Sequence, residues 1–205
     1  MLYFPESRRR KSEPEEARIA RQIEELVHAA NGHTLVLFTS YDQMGHVYEK
    51  LKDKLPLPVL QLRRNAQSYL QQFKQLSNAV LFASGACWEG VDFPGDMVSL
   101  LVIPRLPFPV PDPLGEALRT QYCKLHSYIR TEIVPEMQIK LRQGFGRAIR
   151  TEQDSCVVAV LDERAGIGGK YYDAVLAALP TCPTTEKIED VQQFIREQKR
   201  PDYFL

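Results

Sequence analysis

A glutamine, a glycine and two arginines recur at helical spacing near residues 143–150, and these residue types together could do chemistry. Gln143, Gly146, Arg147 and Arg150 stand at positions i, i+3, i+4 and i+7, so a helix would carry them on one face. Two guanidinium groups a turn apart offer planar donor forks to phosphate oxygens, and a glycine beside them permits close approach of a ligand. The pattern predicts a polyphosphate site. An amphipathic helix with solvated arginines is the alternative.

The opposite face of this helix is apolar and should pack into a core. It carries Leu141, Phe145, Ala148 and Ile149.

Short apolar runs alternate with amphipathic segments along the rest of the chain. The runs predict strands at 34–38, 58–62, 79–83, 98–103 and 156–161. The intervening periodicity predicts helices from Ser12 to about residue 31 and at 42–55, 66–76, 169–178 and 186–198, a mostly helical excursion at 114–134, and the arginine helix after Pro135. Such alternation is typical of an α/β fold with a parallel sheet flanked by helices on both faces.

Ligands of such sheets sit beyond the carboxyl ends of the strands. Three polar loops follow predicted strands: Thr39–Tyr41, Ser84–Asp92 and Asp162–Arg164. We therefore expect these loops to gather at one edge of the sheet.

The length and composition indicate one domain. The chain has 205 residues, of which 44% are hydrophobic, and we expect a lead-in at 1–11 followed by one domain at 12–205. Lysine plus arginine equals aspartate plus glutamate at 26 each, so any nucleic-acid contact must come from a local patch.

The four cysteines lack metal-ligand spacing, which predicts no metal on this chain and reduced thiols. No apolar run could span a membrane, so we expect no membrane partner and a cytoplasmic location.

The polar loops and the arginine segment resemble helicase motifs. Thr39–Tyr41 resembles motif IV, Ser84–Gly95 resembles motif V with its extension, and Gln143–Arg150 resembles motif VI. With the proline-rich stretch Leu106–Pro113 between the last two, their order resembles the second, C-terminal RecA-like motor domain of DinG-type superfamily 2 DNA helicases, which are relatives of XPD. The resemblance covers about residues 12–180 and implies a RecA-like fold.

The resemblance implies that ATP binds between this domain and a first RecA-like domain. Arg150 would be the arginine finger on the γ-phosphate, and Arg147 a second phosphate contact, with Gln143 and Gly146 beside the nucleotide. In phosphoryl-transfer systems such a finger accelerates turnover by ~10³–10⁵.

The same resemblance assigns roles to the motif V residues. Asp92, after Gly90, would face the nucleotide sugar or a motif VI arginine, and Glu89 would couple the nucleotide state to the DNA loop. Acidic turns that pair with a neighbouring arginine are the alternative for both carboxylates.

A first motor domain would also supply the Walker lysine and the ligands of Mg²⁺. This chain contains no Gly-x-x-x-x-Gly-Lys-[Ser/Thr] segment, and Tyr171 follows Lys170 where a magnesium-binding hydroxyl would be needed. We therefore expect the chain alone to be inactive toward ATP.

Short hydroxyls and backbone amides can contact DNA phosphates without reading the base sequence. The residues that would hold the backbone phosphates of single-stranded DNA in this way are Thr39, Ser40, Ser84 and Gly85. Turn formation and helix capping are the alternative for the serines. Trp88 could stack on a base, but core packing is the expected role beside Gly90.

Two other functions stay open. A stand-alone RecA-like module could bind nucleic acid or a partner without ATP turnover, although such a module has no use for a γ-phosphate arginine. One half of an RNA helicase is a further alternative. It is disfavoured because the segment Trp88–Asp92 and the proline-rich stretch resemble the DNA helicase branch. The family resemblance implies 5′ to 3′ unwinding.

Overall fold

A computed structural model describes residues 1–6, 13–62, 67–76, 78–88, 93, 97–149, 154–200 and 203. The strands are β1 Leu2–Tyr3, β2 Thr34–Phe38, β3 Val59–Gln61, β4 Val80–Ser84, β5 Leu100–Ile103, β6 Val157–Val160 and β7 Thr184–Thr185. The α-helices are α1 Glu15–Ala30, α2 Tyr41–Leu51, α3 Gln67–Gln75, α4 Pro113–Arg119, α5 Leu125–Tyr128, α6 Val134–Phe145, α7 Tyr172–Ala178 and α8 Ile188–Gln198. Short 3₁₀ turns cover Gly85–Trp88 and Glu163–Ala165, and a π-helical turn covers Ile129–Ile133.

The described strands form one seven-stranded sheet in the order β3-β4-β2-β5-β6-β1-β7, and every pairing between neighbours is parallel. Parallel strands need crossover connections, and the helices between them supply these connections. The predicted α/β class and parallel sheet are confirmed.

Two apolar cores lie on the two faces of the sheet. In β2, Leu35 and Leu37 belong to one core and Val36 and Phe38 to the other, as the alternation of side chains along a strand requires. The first core packs against α3, α6 and α7, and the second against α1, α2 and α8. The strands are buried on both faces, which is why they are continuous apolar runs.

The first residues of the chain do not form a lead-in. Leu2 and Tyr3 pair with β6 on one side and β7 on the other, and Phe4 is fully buried. The predicted boundary at 1–11 is therefore wrong for residues 1–4, because a two-residue strand is too short to show a periodic pattern. Helix α1 also begins later than predicted, at Glu15 after Pro14, while Ser12 lies outside the described residues.

The helical excursion and the arginine helix are joined. The sequence predicts a helix that begins after Pro135, but one helical run extends from Leu125 to Phe145. Proline cannot donate the backbone hydrogen bond of a regular helix. The π-helical turn Ile129–Ile133 precedes it, with the Val134 N–H donating to the Ile129 carbonyl, and this wider turn accommodates the proline.

Candidate nucleotide and DNA site

The ends of β2 and β4 lie side by side at the carboxyl edge of the sheet. Phe38 and Ser84 are register partners, so the loops that follow them begin at the same height. Thr39 and Gly85 are exposed at this edge, whereas Ser84 is 3% exposed and lies beneath them. Two of the predicted loops therefore converge as expected, with Thr39 and Gly85 forming the surface.

Ser40 begins helix α2. Its hydroxyl accepts a hydrogen bond from the Gln43 amide at 3.4 Å, so the capping alternative is realised. A serine hydroxyl that accepts one bond can still donate its own hydrogen to a phosphate oxygen. The positive end of the helix dipole at the same position also favours an anion.

Gly85 occupies a backbone conformation that favours glycine. Its φ is +63°, and a Cβ built there would lie 2.7 Å from the Tyr41 hydroxyl oxygen. Any side chain at residue 85 would combine backbone strain with a steric contact. Glycine is therefore required where motif V approaches motif IV.

Trp88 is a core residue, as expected. Its side chain is 1% exposed, and its indole N–H donates a hydrogen bond to the Phe38 carbonyl oxygen at 2.9 Å. The ring also lies against Gly144 of α6, where an added Cβ would be 2.7 Å from the Trp88 Cζ3 atom. Motifs IV, V and VI therefore meet at this tryptophan.

The arginine helix ends earlier than the sequence predicts. Helix α6 stops at Phe145, and Gly146, Arg147 and Ala148 continue as hydrogen-bonded turns. The expectation that one helix face extends from Gln143 to residue 150 is therefore wrong beyond Phe145. Two glycines within three residues weaken the helix there, since glycine is a poor helix former.

The described part of the arginine segment still forms a compact group. Gln143, Gly146 and Arg147 are all half-buried, and the Arg147 Nε–H donates to the Gln143 carbonyl oxygen at 3.3 Å. A Cβ at Gly146 would meet only the Gln143 and Arg142 carbonyls, at ordinary contact distance. Among the described residues of this segment, the closest side-chain approach to the backbone is that of Trp88 to Gly144, and the approach of a ligand at Gly146 stays a prediction.

The apolar side of this segment packs into the first core, as predicted. Leu141 is fully buried and Ala148 is 5% exposed, while Phe145 and Ile149 are partly buried against the same core.

The remaining predicted site residues, Glu89, Gly90, Asp92 and Arg150, lie outside the described residues. Their predicted roles stay predictions.

Asp162 organises the loop after β6 in a way that sequence reasoning missed. Its carboxylate is 7% exposed and accepts hydrogen bonds from the Leu106 amide, the Arg164 amide and the Arg164 guanidinium. Burial alone would raise the pKa of Asp162, but these donors outweigh it and hold the pKa below the ordinary value. The Arg164 guanidinium also lies over the rings of Phe108 and Tyr171. The proline-rich stretch is thereby attached to the end of β6.

A cavity of about 410 Å³ lies elsewhere, where β1 and β7 end. Its walls include Tyr3, Arg18, Arg21, Glu25 and Lys187, and none of the predicted site residues lines it.

The cysteines differ in their surroundings. Cys156 is buried, and burial raises the pKa of its thiol to about 12. Cys123 is exposed and Cys182 is half-buried. In the described ranges no three His, Cys, Asp or Glu side chains gather closely enough to hold a metal ion. None of the described helices is long and apolar enough to cross a bilayer.

Known structures resemble this fold. An XPD helicase superimposes with a TM-score of 0.66 at 22% identity, over 90% of this chain and 34% of that one. The C-terminal domain of the DEAD-box protein Dbp5 gives a TM-score of 0.56 at 15% identity, over 96% of each chain. At these identities the likeness concerns the fold, which is that of a RecA-like helicase domain.

Relatives in sequence are longer proteins. The chain is 36% identical to the ATP-dependent DNA helicase YoaA of Escherichia coli over 90% of its own length and 29% of that protein. It is 32% identical to the 3′-5′ exonuclease DinG of Bacillus subtilis over 88% of its length and 20% of that protein. It thus spans less than a third of these relatives. The helicase C-terminal domain family matches residues 23–182, and the chain therefore belongs to that family, as a C-terminal helicase domain of the DinG type.

Proposed function

We propose that this domain is the second motor domain of an ATP-dependent DNA helicase. It supplies the arginine finger and part of the track for single-stranded DNA, and it works with a first RecA-like domain that carries the Walker residues. The observation that carries the proposal is the meeting of three motifs. The ends of β2 and β4 are register neighbours, and α6 packs against both through Trp88.

The DNA track is the edge formed by Thr39, Ser40 and Gly85, above Ser84. The exposed Thr39 hydroxyl, the half-buried Ser40 hydroxyl, the Gly85 amide and the α2 N-terminus would hold successive backbone phosphates. None of these groups reads a base edge. Binding would therefore be indifferent to sequence.

Arg150 completes the ATP site of the first domain, with Arg147 as a second phosphate contact. Guanidinium groups remain protonated and neutralise the charge that spreads over the γ-phosphoryl oxygens during transfer. The Gln143 carbonyl accepts a hydrogen bond from the Arg147 Nε–H at 3.3 Å. Gln143 thereby orients Arg147, while Gly90, Asp92, Glu89 and Gly146 would line the nucleotide.

Mg²⁺ would accompany ATP. The described residues offer no cluster of metal ligands, so we assign its protein ligands to the first motor domain. The isolated chain is accordingly expected to show no ATPase activity above background, with or without DNA.

A stand-alone binding module is the rival function. It would use the same DNA edge but would not require Arg147 or Arg150. The two functions therefore differ in what the arginines do.

Arg150→Ala, in the protein that contains both motor domains, separates them. We expect ATP turnover to fall by about 10³-fold or more, while the fold and single-strand binding persist. Arg150→Lys should restore little, because a flexible ammonium cannot reproduce the planar fork. Arg142→Ala is the matched control, since Arg142 is an exposed arginine of α6 outside the predicted site. Equal turnover in Arg150→Ala and Arg142→Ala proteins would refute the arginine-finger role and favour the binding module.

A further inference from the structure

We propose that Trp88 is the positioning residue through which bound DNA is communicated to the arginine segment. This inference rests on the proposed function and deepens it. It assigns to one buried side chain the connection between the DNA edge and the γ-phosphate arginines.

The first contact joins Trp88 to the DNA edge. The indole N–H donates to the carbonyl of Phe38, the residue directly before Thr39 and Ser40. Trp88 itself closes the 3₁₀ turn that begins at Gly85. A phosphate bound at this edge would thus act on both backbone segments that hold the tryptophan.

The second contact joins Trp88 to the arginine segment. The Cζ3 and Cε3 atoms of its ring lie 2.7 and 2.8 Å from where a Gly144 Cβ would stand. The ring therefore occupies the space of the missing side chain, and Gly144 lies directly between Gln143 and Phe145. The Gln143 carbonyl, in turn, holds Arg147.

Tight packing makes this arrangement a route for displacement. Trp88 is 1% exposed and close-packed interiors transmit strain, so a shift of the ring by a fraction of an ångström must move the Gly144 backbone. A smaller or more mobile side chain at residue 88 would absorb the same shift. The indole combines a large rigid surface with one directional hydrogen bond, and both properties are used here.

The intrinsic fluorescence of this chain tests the first contact directly. The sequence contains a single tryptophan, so its emission reports on Trp88 alone. A fluorescein-labelled oligo(dT) gives binding by anisotropy, and unlabelled oligo(dT) is then titrated while the emission is recorded. We expect an emission change that saturates together with the anisotropy signal. Binding without any emission change would overturn the inference and leave the proposed function intact, whereas no binding at all would overturn both.

The second contact is tested by ATPase stimulation in the protein with both motor domains. The measured quantity is the ratio of the rate with saturating oligo(dT) to the rate without DNA. Trp88→Phe removes the N–H donor and part of the ring, and Gly144→Ala inserts a methyl group against it. We expect each change to lower the ratio by roughly 2- to 30-fold, the range for residues that carry coupling between sites.

The double variant Trp88→Phe/Gly144→Ala distinguishes coupling from simple destabilisation. The smaller ring makes room for the added methyl group. The DNA-stimulation ratio of the double variant should therefore be no lower than that of the more affected single variant. Phe4→Leu, another fully buried aromatic in the same core, is the control that should lower the melting temperature without changing the ratio. If Trp88→Phe does not fold, Gly144→Ala and the emission titration still decide. If the variants have a lower melting temperature but the same DNA-stimulation ratio as the wild type, Trp88 contributes only packing and the inference fails.

Discussion

The carboxylate of Asp162 accepts a hydrogen bond from the backbone amide of Leu106 at 3.0 Å, across 56 residues of sequence. The bond joins the end of β6 to the proline-rich stretch that follows β5. Prolines lack amide hydrogens, so this stretch has few donors with which to fix its own course. This buried carboxylate therefore helps to fix where the chain runs between motifs V and VI.

Asp162→Asn should destabilise the domain and change its response to acid. At neutral pH the loss of an ionised acceptor should cost about 1–3 kcal/mol, because the Leu106 amide and the Arg164 guanidinium lose a charged partner. The folded-state pKa of Asp162 lies below its ordinary value of 3.8, so its stabilisation is complete above that value and is lost as pH falls through the folded-state pKa. Between about pH 5 and about pH 2, the free energy of unfolding measured with urea should therefore fall less in the variant than in the wild type. If the free energy of unfolding falls equally with pH in both proteins, this role of Asp162 is contradicted.

Gly85→Ala should destabilise the domain through two separable effects. A positive φ costs a non-glycine residue about 1–2 kcal/mol, and the new methyl group would also press on the Tyr41 hydroxyl. Tyr41→Phe removes that oxygen and leaves only an ordinary contact. Chemical unfolding of the two single variants and the double variant should thus show a double variant that is more stable than additivity predicts. Strict additivity would mean that only backbone strain matters.

Leu141→Ala should be the most damaging truncation on the apolar side of the arginine segment. Leu141 is fully buried, and such a change typically costs about 2–5 kcal/mol. Phe145 is only partly buried, so Phe145→Ala should cost less than the full value for a large core aromatic. Urea denaturation measures the free energy of unfolding of both variants. A larger decrease for Phe145→Ala than for Leu141→Ala would contradict this prediction.

Thr39→Val should weaken binding of single-stranded DNA without harm to the fold. The change replaces an exposed hydroxyl by a methyl group of similar shape, and valine suits the end of a strand. Because a neutral hydroxyl releases no counterion, the variant should bind more weakly at every salt concentration, while the slope of log affinity against log salt stays as in the wild type. Oligo(dT) anisotropy at several salt concentrations measures both. Thr120→Val, on the exposed excursion, is the control and should bind as the wild type does.

Much of this fold could be predicted because the strands are buried on both faces. Val36 and Phe38 carry the same apolar signal as Leu35 and Leu37, and such runs stand out in any sequence. The loops at their ends could be predicted for the same reason, since parallel strands bring their carboxyl ends to one edge.

The errors come from features that depend on distant residues. Leu2 and Tyr3 form a strand only because β6 and β7 offer edges to pair with. Gly144 looks like any helix-weakening glycine until Trp88 is placed beside it. Residue spacing within one helix carries no information about either partner.

The position of β1 also determines the order in which this domain can fold. The first strand in the sequence pairs with Val158 and Ala159 on one side and with Thr184 and Thr185 on the other. During synthesis, residues 2–4 remain without these partners until residues 157–185 have been made, so this pairing closes a long loop. The β2–β4–β5 part of the sheet can form before that step, and β1 is then added between β6 and β7.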